Sequence, residues 1–107
     1  MQSERRRDDF SRALHARLIE RLQQDPAGVT AHARTQLARL RDADRAGHAT
    51  VLFDRWAAII DAGPPAIEEA LRDDSPEGMR LRQAGPFAGV LSAQDRWAIW
   101  RAVRDAA

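Results

Sequence analysis

Prolines and glycines divide this chain into segments of helix length, and this division constrains the fold more than any other feature of the sequence. Asp25-Pro26 and Ser75-Pro76 each place a residue that caps helix N-termini directly before a proline, which suits the first helical position. Gly63-Pro64-Pro65 separates two more segments, and Gly47 and Gly85 stand where glycines end helices. The alternating pattern of a strand is missing, and tyrosine is absent. The sequence therefore predicts an all-α fold.

Apolar residues recur within each segment at three- and four-residue spacing, as expected for helices that bury one face. The last helix opens with a capping box, Ser92-Ala93-Gln94-Asp95, in which Asp replaces the usual Glu. Six helices joined by short loops predict one compact domain over residues 1–107. The predicted helices run from about Glu4 to Gln24, from Pro26 towards Gly47, from Thr50 to Ala62, from Pro64 through Leu71, from Pro76 towards Gly85, and from Ser92 to the carboxyl end.

The predicted core comes from one face of each helix. Hydrophobic residues make up 44% of the chain, but many of them are alanines, so the core is modest for a domain that folds alone. The expected inward-facing residues are Phe10, Leu14, Leu18, Ile19, Leu22, Val29, Ala33, Gln36, Leu37, Leu40, Leu52, Trp56, Ile59, Ile60, Ile67, Ala70, Leu71, Met79 and Leu81.

Composition excludes several classes of protein. The chain has no cysteine, which excludes disulfides, thiolate metal sites and a cysteine nucleophile. No apolar run approaches the roughly 20 residues needed to cross a bilayer, and the opening sequence MQSERRRDDF lacks the apolar stretch of a signal peptide. We therefore expect a soluble, cytoplasmic protein that does not contact membranes.

Residues that carry catalysis or bind metals are not arranged for either role. His15, His32 and His48 have no ligand partner at the three- or four-residue spacing that places two metal ligands on one helix face. The serines lack the context of a nucleophile elbow, and no glycine-rich loop is present to hold a phosphate. We expect a protein that is not an enzyme and uses no metal or cofactor.

Charge is balanced over the whole chain but not along it. The basic residues number 17 and are all arginine, against 16 acidic residues, for a net charge of +1. Residues 1–24 carry an excess of arginine, whereas residues 61–77 hold six acidic residues against Arg72 alone. We call residues 61–77 the acidic shoulder. Its carboxylates are expected to steer a basic partner towards the protein. The members expected to bind that partner are Glu68, Glu69, Asp73 and Asp74.

An apolar connection between the last two helices is the most unusual segment of the chain. Residues 85–91 contain Phe87, Val90 and Leu91, and two glycines and a proline fix their path. An apolar loop either packs into the core or is covered by another molecule. In the second case these three side chains, with Trp97 or Trp100, form an anchor cluster for a protein partner, because tryptophan is enriched at interface hot spots.

Short motifs around the same segment resemble a known family. Leu81-Arg82-Gln83, then residues 86–91, and then a capped helix with Arg96 resemble the carboxy-terminal region of small antitoxin-like proteins from GC-rich bacteria. In larger relatives this region follows a helix-turn-helix module. The resemblance implies an all-helical protein that sequesters a toxin. Upstream motifs that fit are Ala13-Leu14-His15, Asp25-Pro26, Ala38-Arg39-Leu40, and Trp56 before Gly63-Pro64.

The sequence therefore predicts a non-enzymatic protein-binding module, an antitoxin or immunity-type neutraliser that occludes a toxin. One alternative is a nucleic-acid-binding regulator that uses the arginine-rich first helix. Another is a homodimer in which two first helices pair through the Phe10–Leu22 stripe.

Overall fold

Six α-helices and their short connections account for the structure, a computed structural model that describes residues 2–106 and the side chains of residues 4–106. No strand occurs in the described range, so the predicted all-α fold is confirmed. The helices are α1 (Gln2–Gln24), α2 (Pro26–Ala43), α3 (Thr50–Ala62), α4 (Pro64–Arg72), α5 (Pro76–Gln83) and α6 (Ala93–Asp105).

The predicted helix caps are present. Asp25 and Ser75 each accept a hydrogen bond, 3.0 Å long, from the backbone N–H three residues further on. The Ser92 hydroxyl accepts from the N–H of Asp95 at 3.0 Å, and the Asp95 carboxylate accepts from the N–H of Ser92 at 3.3 Å. This reciprocal pair is the predicted capping box of α6.

The end of α2 differs from the prediction. The helix ends at Ala43 rather than continuing to Gly47. Asp44 explains the early end, because its carboxylate accepts hydrogen bonds from the N–H groups of His48 (3.1 Å) and Ala49 (2.9 Å) and so favours a turn over further helix. Gly47 lies within this turn at φ +72°, a conformation that glycine adopts at little cost.

Helix α1 is central to the packing. At about 1.5 Å per residue its 23 residues extend about 35 Å, nearly the 38 Å longest dimension of the molecule. It contacts α2, α4 and α6, while α3 packs against α2 and α4. One core joins all these helices and extends to the 85–91 segment. Its most enclosed large side chains are Trp56, Ile60 and Ile67, each 2% exposed or less.

Trp56 connects α3 to the second half of the chain. Its side chain is fully buried, and its indole N–H donates to the Leu81 carbonyl at 2.8 Å. The Phe87 ring packs edge-on against the indole, with ring centroids 5.1 Å apart. Phe53, one turn before Trp56, is also buried, whereas Leu52 and Ile59, expected to face inward, are only half-buried. Met79 is 49% exposed rather than inward-facing.

The apolar stripe of α1 packs within the same molecule. Leu18, Ile19 and Leu22 are buried in the core, and Phe10 packs edge-on against Trp100 with ring centroids 5.3 Å apart. Most of the stripe thus has partners within the fold, and the pairing of two copies of the chain through it stays a prediction.

A helix that crosses a bilayer needs about 20 predominantly apolar residues. Within residues 2–106, no helix combines the length and the apolar character needed to cross a bilayer.

Candidate partner-binding groove

Two of the predicted anchor residues lie in the core. Phe87 is 8% exposed and Leu91 is 7% exposed, and Pro86 between Gly85 and Phe87 is fully buried. Burial of Phe87 against Trp56 stabilises the fold itself, so neither Phe87 nor Leu91 protrudes to anchor a partner. Val90 is half-buried, and the prediction that these three side chains bind a partner stays a prediction.

The other two predicted anchors lie on α6. Trp100 is half-buried against Phe10, whereas Trp97 is 54% exposed on the outward face of the helix. No side chain of α6 is fully buried, and the residues that face α1, including Ile99 and Val103, are half-buried. Of the five predicted apolar anchors, Trp97 is therefore the one that is openly exposed.

The acidic shoulder is partly neutralised by residues from elsewhere in the chain. Asp61 pairs with Arg34 at 2.7 Å. Glu68 accepts a hydrogen bond from the Gln23 amide at 2.5 Å and lies 3.6 Å from Arg72. These contacts leave fewer free carboxylates than the count along the sequence indicates.

The shoulder residues after α4 are also engaged within the fold. Asp73 accepts from the N–H of Ser75 at 2.9 Å, and hydrogen bonds from Ser75 lower the pKa of its carboxyl group. Asp74 pairs with Arg82 at 3.6 Å. Among the described side chains, Glu69 has no ion pair, so it is the predicted partner-binding carboxylate that stays unengaged.

A groove along α1 is formed by side chains from several parts of the chain. One wall is α1, and the other consists of the end of α4, α5 and the 85–91 segment. Two cavities, of about 450 and 310 Å³, adjoin along it because both are lined by His15, Leu71 and Arg82. We call this feature the α1 groove.

The base of the α1 groove is apolar. In the larger cavity it consists of Ala16, Ile19, Leu71 and the half-exposed Met79. In the smaller cavity it consists of Leu14, Leu18, Leu71, Phe87 and Leu91. Phe87 and Leu91 thus contribute to the base of a receiving cavity instead of projecting from the surface. Sequence reasoning identified these two side chains but not this role.

The rim of the α1 groove is charged, with more arginine than acid. Arg12, Arg72, Arg82 and Arg96 line it, against Asp8 and Asp74. Arg82 is held firmly, because its side chain is only 10% exposed, pairs with Asp74 and donates to the Asp73 carbonyl. The arginines of the rim come from α1, α4, α5 and α6, so no single stretch of the sequence indicates the site.

His15 lies at the junction of the two cavities. Its Nδ1 is 3.4 Å from the Ser11 hydroxyl, one turn earlier on α1. Burial lowers the pKa of His15, and the positive charge of Arg82 lowers it further, while the backbone hydrogen bond at Ser11 and the charge of Asp74 act in the opposite direction. The ring is therefore mainly neutral near pH 7, and its pKa depends on the charges that line the groove.

His32 fixes the position of the 85–91 segment from the side of α2. Its Nε2 lies 2.5 Å from the Ala88 carbonyl and donates to it. Gly89 follows at φ +88°, and a Cβ at this position would lie 3.2 Å from the His32 ring. Glycine is needed here both for its backbone conformation and for the space. The spacing of histidines in the sequence gave no indication of this contact.

The arginines of the first helix divide into paired and unpaired groups. Arg17 pairs with Glu20 at 2.7 Å, and Arg21 pairs with Asp95 at 3.3 Å, which joins α1 to the start of α6. Among the described side chains, Arg5, Arg7 and Arg12 have no ion pair. The unpaired positive charge of α1 is therefore in its first half.

Within residues 2–106, no three His, Asp or Glu side chains come together in a way that would hold a metal ion.

Comparison with known proteins finds a partial similarity. A stretch of 77 residues is 39% identical to the DNA mismatch repair protein MutS of Rhizobium meliloti (strain 1021). The match covers 62% of this chain, and the chain spans only 8% of the length of that relative. No family model matches the chain, and no solved structure matches it.

Proposed function

We propose that this chain is a non-enzymatic protein-binding module that takes a segment of a partner protein into the α1 groove. The observation that carries the proposal is the groove itself, with an apolar base and an arginine-rich rim. Protein interfaces combine an apolar centre with a polar rim, and arginine and methionine are enriched in them. Met79 at the edge of the base suits such a role, because its flexible thioether adapts to different partner side chains.

The partner that we propose is a toxin, which the module neutralises by occlusion. The support for this identity is the resemblance of residues 81–96 to antitoxin-like proteins. In this mechanism the module performs no chemistry. It covers a surface that the toxin needs. When the groove is filled, the module no longer neutralises the toxin.

Co-expression with the product of the neighbouring gene tests the proposal. The expected result is that this chain restores growth that the neighbouring product inhibits, and that the two proteins co-purify. Failure of both, with the two proteins soluble and expressed, would contradict the toxin identity.

A groove-filling substitution tests the site. Ala16 is exposed on α1 and lines the larger cavity, so Ala16→Trp fills the groove with little demand on the core. Ala38 is an equally exposed helical alanine on α2, outside the groove, and Ala38→Trp is the matched control. We expect Ala16→Trp to abolish rescue and co-purification and Ala38→Trp to preserve both. Rescue by both variants would exclude the α1 groove as the binding site.

Nucleic-acid binding is the second candidate, and one observation favours it. The first half of α1, which carries the unpaired arginines, packs against α6 through Phe10 and Trp100, and the exposed face of α6 carries Trp97, Arg101 and Arg104. Arginines contact phosphates and exposed aromatic rings stack on bases in proteins that bind single strands. The relative named above is a DNA mismatch repair protein, which agrees with this candidate.

A salt titration separates the two candidates. Nucleic-acid binding predicts that the affinity for a single-stranded oligonucleotide falls linearly with the logarithm of the salt concentration. Replacing Arg5 and Arg7 together by glutamine would then reduce that slope by about 1.4, since each phosphate contact on a single strand contributes about 0.7. The protein-binding proposal predicts no measurable oligonucleotide binding at physiological salt.

A further inference from the structure

Cations line both cavities of the α1 groove. Arg12 lines only the larger cavity, Arg96 lines only the smaller one, and Arg82 and His15 line both. A segment that occupies both cavities therefore meets Arg12 in one, Arg96 in the other and Arg82 where they adjoin, whereas the His15 ring is mainly neutral near pH 7. Asp8, beside Arg12, is exposed, and the remaining acid, Asp74, is already paired with Arg82.

The two arginines that remain available line different cavities of the groove. Arg82 is bound to Asp74 and to the Asp73 carbonyl, and Arg72 lies 3.6 Å from Glu68. Among the described side chains, Arg12 and Arg96 have no ion pair. Two free guanidinium groups therefore flank an apolar base, and each guanidinium presents a planar set of donors that suits a carboxylate.

From this charge pattern we propose that the occupant of the α1 groove is a polypeptide segment in which apolar side chains are flanked by carboxylates. The inference depends on the proposed protein-binding function and adds the chemistry of the partner. An apolar side chain of the segment enters the smaller cavity, where Phe87 and Leu91 form the base. Acidic side chains on either side meet Arg12 and Arg96.

A basic segment and a nucleic acid both fit this groove less well. A basic segment would place cations beside Arg12 and Arg96, and like charges repel. A nucleic-acid backbone would leave the apolar base without a partner. The preference for acidic partners is the reverse of what the acidic shoulder alone predicts, because Arg34 and Arg82 from outside the shoulder pair with two of its carboxylates.

Three matched peptides test the inference. The probes are acetyl-Asp-Leu-Phe-Glu-amide, its neutral counterpart acetyl-Asn-Leu-Phe-Gln-amide, and the basic acetyl-Lys-Leu-Phe-Lys-amide. Binding is followed by NMR through the methyl signals of Leu14, Leu18 and Leu71. We expect the acidic peptide to bind at least about fivefold more tightly than the neutral one, and the basic peptide to bind most weakly.

Two arginine variants extend the test. Arg96→Gln removes an unpaired cation from the rim and is expected to reduce the preference for the acidic peptide to about twofold or less. Arg39→Gln on α2, exposed and outside the groove, is the matched control and is expected to change nothing. A second readout is the pKa of His15, which the acidic peptide raises because carboxylates oppose the charge of Arg82, and which the neutral peptide leaves in place.

The outcomes distinguish this inference from the function on which it depends. Equal affinity for the acidic and neutral peptides would overturn the inference and leave the α1 groove as an apolar binding site. Tighter binding of the basic peptide, or no binding of any peptide at millimolar concentration, would also overturn it. If the acidic peptide binds as expected but Ala16→Trp still rescues growth, the α1 groove is excluded as the toxin-binding site and the ligand chemistry stands.

Discussion

At the scale of the residue, the position of Phe87 shows what the sequence indicates and what it leaves open. A phenylalanine between two helices, with proline and glycines beside it, marks an apolar loop that must be covered. The sequence does not reveal whether the cover is the same molecule or another. The answer depends on Trp56, 31 positions earlier, whose indole provides the surface on which Phe87 packs. A contact this distant in sequence leaves no periodic pattern.

Substitution of the predicted anchors separates core residues from surface residues. Phe87→Ala leaves a cavity beside Trp56 and is expected to lower the free energy of unfolding by about 3–5 kcal/mol. Trp97→Ala, on the exposed face of α6, is expected to change it by about 0.5 kcal/mol or less. Urea denaturation measures both. A similar loss of unfolding free energy in the two variants would contradict the structure, in which Phe87 is buried and Trp97 is exposed.

His15 predicts a pH dependence of stability. The folded state lowers the pKa of His15, so the unfolded chain binds its proton more readily and stability falls as the pH decreases through the unfolded value of 6.5 towards the folded one. We expect the midpoint of urea unfolding to decrease between pH 7.5 and pH 5.5. We expect His15→Gln to remove part of that decrease. His48→Gln changes an exposed residue in a turn and is expected to leave the decrease unchanged. A decrease of the same size in both variants would show that His15 is not the group responsible.

At the scale of the element, α6 shows how well local patterns define a helix and how little they say about its docking. The capping-box motif predicts the first turn of α6 correctly, because its hydrogen bonds join residues only three positions apart. Its packing depends on distant partners, such as Arg21 for Asp95 and Phe10 for Trp100. Similarly, α2 ended early because Asp44 bonds to residues that follow it. Helix existence was therefore predictable, whereas the end of α2 and the exposure of each face were not.

The capping box predicts a local loss of stability in α6. Ser92→Ala removes the acceptor for the N–H of Asp95 and is expected to cost about 1 kcal/mol. Because α6 has no fully buried side chain, the loss is expected to appear first as faster amide hydrogen exchange between residues 93 and 98. Gln94→Ala changes an exposed residue of the same turn and provides the control. Equal exchange in the two variants would show that the cap does not stabilise α6.

At the scale of the whole molecule, folding redistributes the charge that the sequence displays. Counted along the chain, residues 61–77 are acidic and residues 1–24 are basic. In three dimensions, Arg34 and Arg82 reach the acidic shoulder, and Arg96 joins Arg12 on the rim of the α1 groove. The fold class and the helices were predictable from spacing. The groove was not, because its lining comes from α1, α4, α5, α6 and the 85–91 segment.

The most direct test of the account is to map the partner's footprint on the isotopically labelled chain by NMR, using the protein that co-purifies with it. We predict that the largest chemical-shift changes occur at His15, Leu71 and Arg82, where the two cavities meet, and that Val51, exposed on α3 outside the groove, stays unchanged. Changes concentrated at Trp97 and the first half of α1, with His15 and Leu71 unaffected, would contradict it.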